Sequence, residues 1–326
     1  MLTKAAFALL LTLTPFFALA EQAIQSQHSC FKGPFETYQG WVMRMASTLK
    51  KFDQEVFSAY FPESKFQQVQ QTLDCVDFVY QVDGFNVEGY YLKPKLAVDK
   101  KLPVVMFNRG GNGRGGYVTF TRKLTFQAEL AAQGFIVIGS QYRGASKHID
   151  NNGFDEFGGA DVNDVVALMD IIKQIPDVDS ENIAMMGWSR GSMQSYLAVK
   201  RLPNIKTLIA VAGVSDVHQG MAERPVMEKV YKKRIPDYEN NKQQELDKRS
   251  VAKWAHELPA NMPILLLHGD KDERVNVAHS TRLAGILESL EHPHKLVIYP
   301  GDNHGLTKHR QEMISEVVGW LNTYLH

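Results

Sequence analysis

Gly187-Trp-Ser-Arg-Gly-Ser192 places a serine between two glycines, with a short apolar run before it and helix-forming residues after it. A serine hydroxyl is a weak nucleophile alone; it needs a base within hydrogen-bond reach and a third group to orient that base. Glycines on both sides suit a tight strand-to-helix turn in which neighbouring backbone approaches closely. A helix-capping serine is the bland alternative for Ser189. Further along, "PILLLHG" is followed by "DKDERV", which offers Asp270, Asp272 and Glu273. "KLVIYPG" is followed by "DNHGL", which offers His304 between Gly301 and Gly305. Nucleophile, acid and base thus arrive in that order, each directly after an apolar run.

The other histidines fit less well. His268 ends its run and is expected to pack or hydrogen-bond near the turn. His279, His292, His294, His309 and His326 fall on or near expected surface segments, His218 lies in a polar stretch, and His28, His148 and His256 lack a strand-end context. No His, Cys or carboxylate spacing fits a zinc site, so neither metal nor cofactor is expected. An oxyanion needs two donors. One is the backbone N–H of Arg190, and the other, from Arg109 or Gly110, belongs to "NRGGNGRGG" at 108–116, with five glycines in nine positions. As a phosphate cradle this loop lacks the Gly-Lys-Ser/Thr ending and fits Gly-x-Gly-x-x-Gly poorly. Arg109 and Arg114 are candidates to grip a substrate carboxylate, or are simply solvated.

Alternating short apolar runs and helical patterns position these residues. Strands are expected at 104–108, 135–143, 182–188, 207–213, 263–269 and 295–301. Helices are expected at 117–133, 159–175, 190–201, 277–290 and 308–325. This alternation means α/β architecture, a mostly parallel sheet covered on both faces. Ligands bind at the carboxyl ends of such strands, where Ser189, the acid and His304 all fall. Asp83-Gly84 marks a hairpin within 75–92, and 93–103 is a charged connector. Trp41, Met45, Leu49, Phe52, Val56 and Tyr60, three or four residues apart, predict one helical face within 35–72, with a second short helix at "ESKFQQVQQTL". Residues 214–262 are polar and helical in flavour, an insertion at the sheet's carboxyl edge.

The 326 residues carry 36 basic and 36 acidic side chains and are 44% hydrophobic, so no basic field points to a nucleic-acid partner. Residues 1–20 combine Lys4, an apolar run and Ala18-Leu19-Ala20, the pattern of a signal peptide cleaved after Ala20. The run is short for a spanning helix and contains Pro15, so no stable membrane span is expected after cleavage and the mature chain is expected to be secreted or periplasmic. Cys30 and Cys75 are then a candidate disulfide, with two buried thiols as the alternative. The expected organisation is leader 1–20, helical extension 21–74 and catalytic domain 75–326.

With these motifs in order, the sequence resembles an α/β-hydrolase of the prolyl oligopeptidase family over about residues 75–326. "GWSRGS" resembles the family's Gly-Trp-Ser-x-Gly-Gly nucleophile elbow, "HGDKDERV" its His-Gly-x-x-Asp-x-x-Val segment and "GDNHG" its histidine loop. The resemblance puts the acid on Asp272 and the base on His304. "QYRGAS" and "EFGGADVNDV" resemble the stretch before the elbow, where Arg143, Asp161 and Asp164 are expected to be structural. Ser192 stands where the family has a second glycine, and Arg109 falls near its oxyanion tyrosine. Only about eighty residues of the expected mature chain precede the core, so the family's N-terminal β-propeller is not expected here. The resemblance implies a serine hydrolase acting on short peptides or esters. The rival readings are an idle hydrolase fold that only binds and a nucleotide-binding protein using the glycine loop.

Overall fold

The computed structural model describes residues 24–95 and 101–325. The expected leader and the middle of the 93–103 connector lie outside the described residues. Within them, nine strands form one sheet: β1 (Ile24–Ser29), β2 (Leu73–Val82), β3 (Phe85–Pro94), β4 (Leu102–Asn108), β5 (Ile136–Ser140), β6 (Val178–Trp188), β7 (Thr207–Val211), β8 (Ile264–Gly269) and β9 (His294–Tyr299). Their order is β1-β2-β3-β5-β4-β6-β7-β8-β9. The first three strands pair antiparallel, and β4 to β9 join β5 in a parallel array.

The parallel strands read as continuous apolar runs because both their faces are covered. Val105 and Phe107 face one core with Met186, Ile209 and Leu265, closed by the helix Arg310–Tyr324 through Met313, Val317 and Leu321. Val104 and Met106 face the other with Met185, Leu208 and Leu266, covered by Leu168, Ala198 and Leu283. In the β2–β3 hairpin Val82 pairs with Phe85, and Asp83 and Gly84 both have positive φ (52° and 78°), the two-residue turn expected there.

Three expectations are corrected. Residues 38–60 fold as two short helices, Tyr38–Thr48 and Gln54–Tyr60, instead of one, while the second helix expected at "ESKFQQVQQTL" is present as Glu63–Thr72. Trp41 is fully buried, but Leu49, Val56 and Tyr60 are more than half exposed, so the apolar spacing does not define one face. The break occurs because Asp53 accepts a hydrogen bond from the Val56 N–H (3.0 Å) and starts a new helix. The helical extension also contains β1, whose residues are mostly exposed and polar and carry no apolar alternation. Lastly, the helix expected at 117–133 is interrupted by a π-helical segment, Lys123–Gln127, where buried Lys123 pairs with Asp77. Cys30 and Cys75 are disulfide-bonded, Cα atoms 5.3 Å apart, and join β1 to β2.

The insertion leaves the carboxyl end of β7 and forms the helices Val217–Glu223, Met227–Arg234, Tyr238–Lys248 and Val251–Trp254. Tyr231, Ile235 and Tyr238 pack on Phe157 and on Met193 of the helix Arg190–Val199, fastening the insertion beside the elbow.

Candidate active site

Ser189 sits between β6 and the helix Arg190–Val199 with φ 60° and ψ −124°. A side chain in this region of backbone space costs about 1–3 kcal/mol and persists only where surroundings enforce it. They do so here. The Ser189 N–H donates to Val211 O (2.8 Å). A Cβ on Gly187 would strike the Gly191 carbonyl, and one on Gly191 would strike Asn108 O. Ser192 is accommodated because its hydroxyl donates to Gly187 O (2.9 Å) while Gly213 leaves room beside it.

The carboxylate that reaches His304 is Asp272. His304 Nδ1 lies 2.7 Å from Asp272 Oδ2. The other oxygen, Oδ1, accepts from the backbone N–H groups of Arg274 (2.8 Å) and Val275 (3.0 Å). Burial alone would raise the Asp272 pKa, but the contacts with His268 and His304 and the backbone donors outweigh it and hold the carboxyl well below its usual range. Asp270 instead accepts from the Gly301 N–H (2.6 Å), and Glu273 is exposed. His268 packs near the turn as expected, 2.7 Å from Ser280 Oγ and 2.9 Å from Val275 O. Trp188, next to the serine, donates its indole N–H to His304 O (3.1 Å), so the strand that leads into Ser189 also holds the histidine loop.

The glycine loop lies against the elbow. A Cβ on Gly110 would come within 3.1 Å of Ser189 Cβ and 3.7 Å of its Oγ. The Arg109 guanidinium is buried and donates to the carbonyls of Gly110 (3.1 Å), Gly113 (2.9 Å), Gly115 (3.2 Å) and Gln141. Burial brings its pKa down to about 10. This excludes the expected option of its side chain gripping a substrate carboxylate and makes Arg109 the loop's internal scaffold.

The Arg190 side chain is also buried. It makes a bidentate pair with Asp155 (2.8 Å twice), reaches Asp161 Oδ2 (2.5 Å) and donates to Gly111 O (2.8 Å). Asp155 in turn accepts from the Gly113 N–H (2.5 Å). Burial opposes ionisation of Asp155, but Arg190 and the backbone donors lower its pKa to about 2. One guanidinium and one carboxylate therefore bolt the glycine loop to the elbow helix. Asp155 is not singled out by any sequence motif. Arg143 is structural, as expected, joined to buried Asp164 and to Asp83. His279 and His292, expected near the surface, are buried. His279 Nδ1 accepts from the Ser215 N–H (3.3 Å) at the base of the insertion, and His292 Nε2 lies 2.8 Å from Met262 O. Burial holds both imidazoles below their ordinary pKa. Among the described residues no group of three His, Cys, Asp or Glu could hold a metal ion, and no helix is long and apolar enough to cross a membrane.

Known proteins show the same architecture. The acylaminoacyl peptidase of Pyrococcus horikoshii superposes with a TM-score of 0.68 at 21% identity, over 80% of this chain and 43% of that one. Among curated relatives, the protein named uncharacterized peptidase YtmA of Bacillus subtilis is 26% identical over 79% of this chain and 96% of its own. Dipeptidyl peptidase 8 of Mus musculus is 28% identical, over 68% of this chain but only 25% of its own length. The sheet and its helices are those of the α/β-hydrolase catalytic domain. The sequence profile of the prolyl oligopeptidase family matches residues 122–326, more than half of the chain, and the protein belongs to that family of serine peptidases.

Proposed function

We propose that the protein is an exported serine hydrolase that cleaves short peptides or related acyl esters through an acyl-enzyme on Ser189. His304 takes the proton of the Ser189 hydroxyl as Oγ attacks the scissile carbonyl, then passes it to the leaving group. Water repeats the cycle and frees the acyl product. Asp272 fixes the imidazole with its Nδ1 proton toward the carboxylate, leaves Nε2 for the serine, and balances the imidazolium. The Arg190 N–H and a backbone N–H from Arg109 or Gly110 receive the oxyanion. With the Arg109 side chain committed to loop carbonyls, oxyanion binding falls to backbone donors, a hole that serves esters as well as amides.

The observation that carries this reading is the His304–Asp272 hydrogen bond at 2.7 Å, joined by the Trp188–His304 bond (3.1 Å) to the turn that holds Ser189 at φ 60° with Gly110 against it. A disulfide is at home in an oxidising compartment, which supports export and cleavage after Ala20; sequencing the protein from culture medium or periplasm is expected to begin at Glu21. A fluorophosphonate is expected to label the wild type and to leave Ser189→Ala unlabelled. An unlabelled wild type would exclude the nucleophile. kcat/KM values on aminoacyl-nitroanilides and short acyl esters then separate peptidase from esterase.

A further inference from the structure

Three arginines border the glycine loop, and no ion pair among the described residues neutralises them. The arginine ion pairs there belong to Arg143, Arg190, Arg249, Arg282 and Arg310. Arg114 projects from the loop itself and is exposed. Arg122, also exposed, spends one N–H on Gly116 O (3.1 Å). Arg234 comes from the insertion. Its Nε donates to Asn112 Oδ1 (3.3 Å), its head rests against Gly113, and its guanidinium lies over the Phe154 ring at 5.1 Å. Phe154 is 48% exposed, and stacking on it leaves the N–H edge of Arg234 open.

The loop's own path brings the backbone anchors of Arg122 and Arg234 close to the serine. Gly110 touches Ser189, and Gly116 folds back on the Gly110 carbonyl, which brings the Arg122 anchor to the same place. Gly113 is three residues from Gly110, so the Arg234 anchor is no more than about 11 Å along the chain from it. The carboxylates nearby are already engaged. Asp155 is shared by Arg190 and the Gly113 N–H, and Glu88 accepts from the Tyr117 hydroxyl (3.0 Å).

We infer that Arg114, Arg122 and Arg234 form a specificity rim that binds a substrate carboxylate one or two residues from the scissile carbonyl. Planar guanidinium groups match a carboxylate with two parallel hydrogen bonds, which a neutral acyl chain cannot accept. The inference rests on the serine-hydrolase reading and deepens it by naming an anionic substrate class.

The test uses two matched substrate pairs at low ionic strength. One pair carries the charge on the acyl side, succinyl- against acetyl-dialanyl-nitroanilide. The other carries it on the leaving side, a peptide acid against its amide. In the wild type the anionic member of at least one pair is expected to exceed its neutral match in kcat/KM by about tenfold, the worth of one charge-assisted contact. The ratio is expected to fall toward one in Arg234→Gln and in the Arg114→Gln/Arg122→Gln double variant, mainly through KM. It is also expected to shrink with added salt. Because the ratio is read within each variant, a general loss of activity cancels. Wild-type protein that is labelled by a fluorophosphonate but shows neither preference overturns the rim and leaves the hydrolase reading standing, as does a preference that survives both variants. Unlabelled wild type overturns both.

Discussion

Asp272 is the most heavily supported side chain of the site: two backbone N–H groups on one oxygen, His304 and His268 beside the other. Replacing it with Asn keeps the shape but offers an amide where His304 needs a carboxylate. Asp272→Asn is therefore expected to lower kcat by about 10³–10⁴ with little change in KM, measured on whichever substrate the panel selects. Ser192 makes the opposite case. Its hydroxyl bonds a carbonyl and touches no reacting atom, so Ser192→Gly is expected to lower stability by about 1 kcal/mol and leave kcat/KM within a few-fold, read by thermal melting and kinetics together. The candidate residues Ser189, Asp272 and His304 were legible because each lies in its own short motif after a strand. Asp155 was not, because its partner Arg190 is 35 residues away and only the folded path brings them together.

Elements place these residues, and the least obvious joint is between the glycine loop and the elbow helix. Asp155→Asn removes one partner of the buried Arg190 guanidinium, and losses of this kind cost about 3–5 kcal/mol. The pH sign follows from its lowered pKa. The folded Asp155 titrates at about 2, and an unfolded Asp near 4. Its stabilisation is thus fully present above about pH 4 and lost as the pH falls toward 2. Thermal melts are expected to show the wild type losing stability more steeply than Asp155→Asn over that interval. Strand positions in the parallel sheet were readable from apolar runs. The helix at 63–72 was readable too, but the break before Gln54 was not, because an apolar spacing cannot reveal that Asp53 caps a fresh start. Nor was β1, whose polar sequence reflects an edge exposed to water.

At the scale of the whole molecule, the N-terminal extension belongs to the catalytic body. Trp41, Phe61 and Phe66 share one core with Phe120, Val137 and Leu321, and the disulfide ties the edge strand to its neighbour. Cys30→Ser/Cys75→Ser is expected to cost about 2–5 kcal/mol, measured by denaturant unfolding with and without reductant. That cross-link also guards against the wrong company. With β1 untied, β2 would offer a ten-residue row of backbone donors and acceptors to any passing strand. Reduced protein is therefore expected to associate with rising concentration in light scattering, while oxidised protein stays dispersed. Oxidation is thus expected to be the step after which the molecule can be kept in crowded solution without adhering to its own copies.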